Sequence, residues 1–315
     1  MGNRVFDKLA QPGKLHQSPI LVFAGDALVA GGLRGLGRVR DNGQFRARRH
    51  GEFLQLCRDL TADGFIDGCL LTPADAETLA VDEGLFGTTS VTPMVRLNAE
   101  TWIWSPRHGN YNRQISQPFQ TVPLNAAPEA AYCELRGGGL ECHVKIGLYS
   151  ITLNNDTAAD ARTLSAYLDF ARSAGEHPEF EYFLEVFLPN TNLPGLDREK
   201  RGQYVADSIV RTLSYLKKKE RPRFIKTEFT TAQTWRELCE FDPTLIIGAL
   251  GGPRQNTRKT LELAHAVVTN GGRAALFGRT IFDDDNPRAI VRALRAVLDQ
   301  EMSVNEAFDL YQKAE

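Results

Sequence analysis

The chain has 315 residues, 42% apolar and 24% charged, the makeup of an ordinary soluble globular protein with enough length for a well-buried core. Its formal charge of −2 and pI near 6.3 exclude the basic field that suits nucleic acid or an anionic membrane, and neither partner is expected. There is no apolar run of about 18 residues or more, and the stretch from Met1 to Lys8 lacks the apolar segment of a secretory signal, so a cytoplasmic protein is expected.

Pro19-Ile20-Leu21-Val22-Phe23-Ala24 reads as a fully buried first strand that runs out into Gly25-Asp26. The Gly31 to Gly37 stretch reads as a loop. It lacks the Lys-Ser/Thr of a P-loop, and as a phosphate cradle its signal is weak. A helix from about Arg49 to Ala62 leads to a second strand over Gly64 to Leu71. Thr72-Pro73-Ala74-Asp75 then opens another helix, and a third strand fits Val91 to Leu97.

From Asn98 to Gly139 the periodicity dissolves among prolines, glycines and aromatic residues. An irregular stretch this long is expected to be a lid or an extra hairpin covering a site. Leu140 to Gly147 reads as a fourth strand, with His143 and Lys145 on one face. A helix follows from about Thr157 to Ala174. The fifth strand, Glu181 to Phe187, sets Glu181, Phe183 and Glu185 against Tyr182, Leu184 and Val186.

A helix near Gln203 to Lys217 precedes the sixth strand, Arg223-Phe224-Ile225-Lys226-Thr227-Glu228-Phe229. A lysine inside such an apolar run needs a partner to offset its desolvation, or works unprotonated; the plainer alternative is a lysine that snorkels to the rim. After a helix over Thr231 to Glu240, Thr244 to Gly248 is a seventh strand ending in Gly251-Gly252. A helix after Asn256 leads to the eighth strand, Arg273 to Arg279. The last clear helix has an Asn286 cap and Pro287 at its first position.

Strands alternating with helices indicate a parallel sheet, and eight of them indicate an α/β fold of the closed (β/α)8 TIM-barrel type, formed by a single domain over 1–315 with the 98–139 insertion after the third strand. An open doubly wound sheet is the alternative. In a barrel the active site lies at the C-terminal ends of the strands. Asp26, Lys145, Glu185, Lys226, Gly252 and Arg279 are all expected there.

Lys145, Glu185 and Lys226 would meet across adjacent strands about 4.8 Å apart. A second lysine and desolvation both favour loss of the Lys226 proton, while Glu185 opposes them. An unprotonated lysine is a nucleophile toward carbonyls, and the Schiff base it forms is an electron sink for carbon–carbon cleavage. A buried Lys-Glu-Lys ion cluster is the alternative without chemistry. Gly251, Gly252 and Gly278 let backbone N–H groups approach an anion, and Arg279 adds charge, so phosphate binding is expected there; tight turns without a ligand are the alternative.

Arg223-Phe224-Ile225-Lys226-Thr227, then Gly251-Gly252, then Leu276-Phe277-Gly278-Arg279-Thr280-Ile281-Phe282 with Asn286-Pro287, resembles the class I aldolase superfamily of deoxyribose-phosphate, archaeal-type fructose-bisphosphate and tagatose-bisphosphate aldolases. The resemblance covers the C-terminal half, from Lys145 on. It implies that Lys226 is the Schiff-base lysine and Lys145 the fourth-strand lysine of the same site. It also implies that Glu185 is a proton-transfer carboxylate, Asp26 the first-strand aspartate, and Gly251, Gly252, Gly278 and Arg279 the phosphate ligands. The chain departs from the family after Asp26, where Ala27-Leu28-Val29 replaces a polar or basic continuation, and in the 98–139 insertion.

The expected function is therefore a metal-independent aldolase, without cofactor, acting on a small phosphorylated ketose or related hydroxy-keto compound. The alternatives are an imine-free phosphate-dependent isomerase or lyase, and a non-catalytic sugar-phosphate-binding regulator. The histidines show no His-x-His or His-x-x-x-His spacing, and only His143 falls on a lumen face, which argues against a metal site. The cysteines, Cys57, Cys69, Cys133, Cys142 and Cys239, are odd in number and form no Cys-x-x-Cys pair, so a disulfide framework is not indicated. Barrels of this kind often form homo-oligomers, but no diagnostic interface is legible.

Overall fold

Eight parallel strands close into a barrel in the computed structural model of the chain, which describes residues 2–122, 133–136, 139–142, 144–178, 180–252 and 255–314. The strands are β1 (Ile20–Ala24), β2 (Gly68–Leu71), β3 (Thr92–Arg96), β4 (Ile146–Thr152), β5 (Glu181–Phe187), β6 (Ile225–Thr227), β7 (Ile247–Leu250) and β8 (Ala274–Phe277). Around the barrel they run β1-β8-β7-β6-β5-β4-β3-β2 and back to β1. The (β/α)8 expectation holds, and the doubly wound alternative falls because β1 pairs with both β8 and β2.

Two apolar layers account for the closure. Ile20, Val22, Leu70, Met94, Ile146, Leu148, Phe183, Phe224, Ile246, Ala274 and Leu276 fill the lumen, where the Phe183 and Phe224 rings stack with centroids 4.5 Å apart. The alternate residues, such as Leu21, Phe23, Leu71, Val95, Tyr149, Leu184 and Ile225, pack outward under the helices. This is the period-2 split read from the fifth strand, with Phe183 inward and Tyr182, Leu184 and Val186 outward. The N-terminal turns contribute Val5, Leu9 and Leu15 to the lumen cluster and plug its lower end.

The helices start where side-chain caps satisfy their first N–H groups. Thr72 accepts from Asp75 N, Thr231 from Thr234 N, and Asn286 from Ala289 N. The helix expected from Gln203 spans Arg198–Ser214, because Asp197 caps Lys200 N and starts it earlier.

The fourth strand is not where the sequence reading put it. Gly139–Cys142 pairs antiparallel with Cys133–Arg136 in a hairpin outside the barrel, and the barrel strand is the next run, Ile146–Thr152. Both runs have strand character. The barrel takes the one that ends close to the Thr157 helix start, leaving a short βα loop. Within the insertion, Asn98–Glu100 pairs antiparallel with Pro118–Thr121. His143, read as facing the lumen, lies outside the described residues.

Candidate active site at the barrel mouth

Register decides which side chains share the mouth. Glu185 on β5 pairs with Lys226 on β6 and with Ser150 on β4, so the three stand side by side at one height. Lys226 Nζ lies 2.6 Å from Glu185 Oε1, and Ser150 Oγ donates to Glu185 Oε2 at 2.8 Å. Both members of the ion pair are buried, Lys226 at 5% and Glu185 at 2% exposure, so the partner required of a lysine in this strand is present.

A second cation enters from β3. Arg96 Nε bonds Asp26 Oδ2, Nη2 reaches Glu185 Oε2 at 3.4 Å, and Nη1 donates to Ser150 Oγ at 3.0 Å. Burial pushes the Asp26 carboxyl up, but the Arg96 guanidinium and then the Lys226 ammonium outweigh it and hold it below the usual range. For Arg96 burial acts the other way, and Asp26 and Glu185 together more than offset it, raising the guanidinium further. The mouth is thus a compensated chain, Asp26–Arg96–Glu185–Lys226, in which every charge has an opposite neighbour.

Lys145 does not belong to it. It precedes β4, where its carbonyl accepts from Glu181 N at the lower end of β5. Five residues of strand, about 16 Å at roughly 3.3 Å each, separate it from Ser150. The place expected for Lys145 is taken by Ser150, and the second cation is Arg96.

A cleft of about 480 Å³ opens above these groups and is lined by Asp26, Arg96, Glu185 and Lys226. Gly251, Gly252, Gly278 and Arg279, the four residues expected to hold phosphate, line the same cleft from the β7 and β8 ends. Gly252 has φ +65°, a conformation that favours glycine, and a Cβ on Gly278 would lie 2.6 Å from the Ala24 carbonyl oxygen. Arg34, from the β1 loop, lines the cleft beside them. Buried Arg48 ties that loop to the β8 loop by donating to both Leu36 O and Phe282 O.

The insertion closes the opposite side. Asn98 exchanges two hydrogen bonds with the Ser150 backbone, fixing the insertion to β4 where it leaves β3. Two residues on, Glu100 Oε2 accepts from Ser116 Oγ, Thr152 Oγ1 and Trp102 Nε1. Burial pushes the Glu100 carboxyl up to about 7, although these three donors and Arg96 pull it down. Trp102, so held, packs edge-on against Phe187 with centroids 5.1 Å apart and lines the cleft with Ile103, Ser105 and Asn112. Among the described residues no group of three or more His, Cys, Asp or Glu side chains is placed to hold a metal ion, and no helix is long and apolar enough to cross a membrane.

An archaeal fructose 1,6-bisphosphate aldolase superposes on this chain with a TM-score of 0.63 at 14% identity, over 93% of this chain and 99% of that one. The chain shares its fold. A Schiff-base-forming fructose-1,6-bisphosphate aldolase superposes at 0.62 and 15% identity, covering 92% and 99% of the two chains. The fructose-bisphosphate aldolase of Slackia heliotrinireducens gives 0.64 at 13%, covering 98% and 91%. No protein-family model matches the chain. In sequence it is 33% identical over 61 residues to the 3-hydroxy-5-phosphonooxypentane-2,4-dione thiolase of Shigella flexneri, a match spanning 19% of this chain and only 24% of that protein.

Of the residues at this barrel mouth, Arg96, Ser150, Asn98 and Glu100 were not picked out from the sequence. Arg96 carried a legible signal, since an arginine in a buried strand demands carboxylate partners as Lys226 does. Ser150 carried none, because a serine in an apolar strand announces no chemistry.

Proposed function

We propose that the protein is a class I aldolase, a lyase that cleaves or forms a carbon–carbon bond in a phosphorylated ketose or related hydroxy-keto compound through a Schiff base on Lys226. The observation that carries this reading is the 2.6 Å contact of Lys226 with Glu185 on the floor of an open cleft, beside glycine turns and an arginine suited to phosphate. The shared aldolase fold supports it.

To attack, Lys226 must give up a proton, and Glu185 Oε1 is in place to take it. The free amine adds to the substrate carbonyl carbon, and loss of water leaves an iminium. A base removes the proton of the hydroxyl carried by the far carbon of the bond to be broken, the carbon β to the iminium. That oxygen becomes the aldehyde carbonyl, and the electrons of the breaking bond flow into the iminium to form an enamine. Protonation of the enamine carbon and hydrolysis by water release the ketone and restore the lysine. The iminium is the electron sink, so the reading calls for no metal.

Glu185 is the better proton carrier of the two carboxylates. It bridges Lys226 and Ser150, while Asp26 is held ionised by Arg96 and contributes charge. Gly251, Gly252, Gly278 and Arg279 would bind the phosphate, through backbone N–H groups and the guanidinium.

Borohydride reduction in the presence of phosphorylated ketones, followed by peptide mass spectrometry, tests the proposal. A stable adduct on Lys226 is expected. Turnover without an adduct would replace it with an imine-free reaction in which Glu185 is a general base.

A further inference from the structure

The charge around the mouth is unequally distributed, and the strand order says where. In an eight-stranded ring running β1-β8-β7-β6-β5-β4-β3-β2, β8 stands opposite β4 and β7 opposite β3. The glycine turns and Arg279 follow β7 and β8, and Arg34 comes from the neighbouring β1 loop. The insertion leaves β3 and is fastened to β4 through Asn98. Its cleft-lining residues therefore face the phosphate rim across the mouth, with Lys226 on β6 between the two.

The two sides differ in chemistry. On the rim stand Arg34 and Arg279, with Asp283, which also acts on the Arg48 guanidinium. On the far side the described residues of the insertion that line the cleft, Trp102, Ile103, Ser105 and Asn112, are all uncharged. Arg107 and Arg113 of the same segment are exposed and are not among the lining residues. Arg96 lies nearest that side, but its charge is engaged by Asp26 and Glu185 and it is only 7% exposed.

We infer that the cleft takes a substrate phosphorylated at one end only, whose other end is uncharged and hydroxyl-bearing and lies against Trp102, Ser105 and Asn112. This rests on the aldolase reading above. A ligand with its phosphate on the β7/β8 rim and its carbonyl at Lys226 projects its remaining carbons toward the insertion. A second phosphate there would exchange water for an indole face and two neutral polar side chains, which do not offset its desolvation. A carbon chain bearing hydroxyls is suited by the same wall, which offers an aromatic surface and two hydrogen-bonding side chains.

The test is made on the intact wild-type protein with three probes: dihydroxyacetone phosphate, fructose 1-phosphate and fructose 1,6-bisphosphate. Borohydride trapping of dihydroxyacetone phosphate, which lacks the far end, reports on the aldolase reading alone; no adduct on Lys226 would sink that reading and this inference with it. With the adduct present, the trapping efficiency kobs/K is expected to be at least about ten-fold higher for the monophosphate than for the bisphosphate. Equal trapping, or preference for the bisphosphate, would overturn the inference and leave the aldolase reading standing. Ser105→Arg, a change in a half-exposed loop residue, is expected to narrow the ratio by lowering K for the bisphosphate. An unchanged ratio in that variant, once it is shown folded by its circular dichroism, would count against Ser105 facing the far end.

Discussion

Glu185 and Lys226 are register partners on adjacent parallel strands, and their side chains close to 2.6 Å inside the mouth of the barrel. The same carboxylate also accepts from Ser150 and Arg96 on its other oxygen, so both of its oxygens are engaged by donors from neighbouring strands.

Lys226→Met is expected to remove borohydride trapping and to lower turnover by at least about a thousand-fold, as the loss of a covalent nucleophile does. The variant should remain folded, because Arg96 and Ser150 still satisfy Glu185. Trapping by a substrate ketone at another lysine, with turnover retained, would reassign the nucleophile.

Arg96→Met should be the more damaging change to stability. It leaves two buried carboxylates, Asp26 and Glu185, short of a partner, and breaking a buried pair in this way costs about 3–5 kcal/mol. Asp26 also gives the effect a pH signature. Its folded value lies below the ordinary 3.8, so its contribution to stability is complete above that range and is lost as pH falls through it toward the depressed value. Chemical denaturation of wild type and variant across pH 2–6, with the range taken as roughly that of carboxylate titration, should show the acid-side loss diminished in the variant.

Glu100 carries the opposite sign. A carboxyl raised from 4.5 to about 7 binds its proton more tightly when folded, so stability declines as pH rises between those values and levels off above them. Glu100→Gln keeps an acceptor for Trp102, Ser116 and Thr152 and should abolish that decline, with a gain of up to about 3 kcal/mol at pH 8 by the linkage relation. Equal pH slopes for wild type and variant would show that the group titrates normally.

Arg279→Ala should raise KM for phosphorylated substrates by about ten- to a hundred-fold, the range of a lost charge-assisted contact. Imine formation with an unphosphorylated ketone should change little. If both fall together, Arg279 supports the fold of the mouth rather than the phosphate.

Lys145→Ala should leave turnover within about two-fold of wild type, since the residue sits at the lower end of the barrel and surface changes there alter little. A large loss would mean that the lower end communicates with the mouth.

Much of this architecture was legible in local pattern. The alternation of Phe183 and Glu185 against Tyr182, Leu184 and Val186, the Asn286 cap, the helix opening at Thr72-Pro73 and the count of strands are all dictated by period and by turn chemistry, which act over a few residues. So was the anomaly of Lys226, because an ammonium in an apolar strand is costly wherever the strand goes. The tertiary structure decided which of two strand-like runs, Leu140 to Gly147 or Ile146 to Thr152, enters the barrel, and with it whether Lys145 or Ser150 stands beside Glu185. It also brought Arg96 and Asp26 together across 70 positions of chain, and set the uncharged wall at Trp102 opposite Arg279. Local propensity is a property of neighbouring residues, whereas register and ring closure are set by the packing of all eight strands at once, and no single segment contains that information.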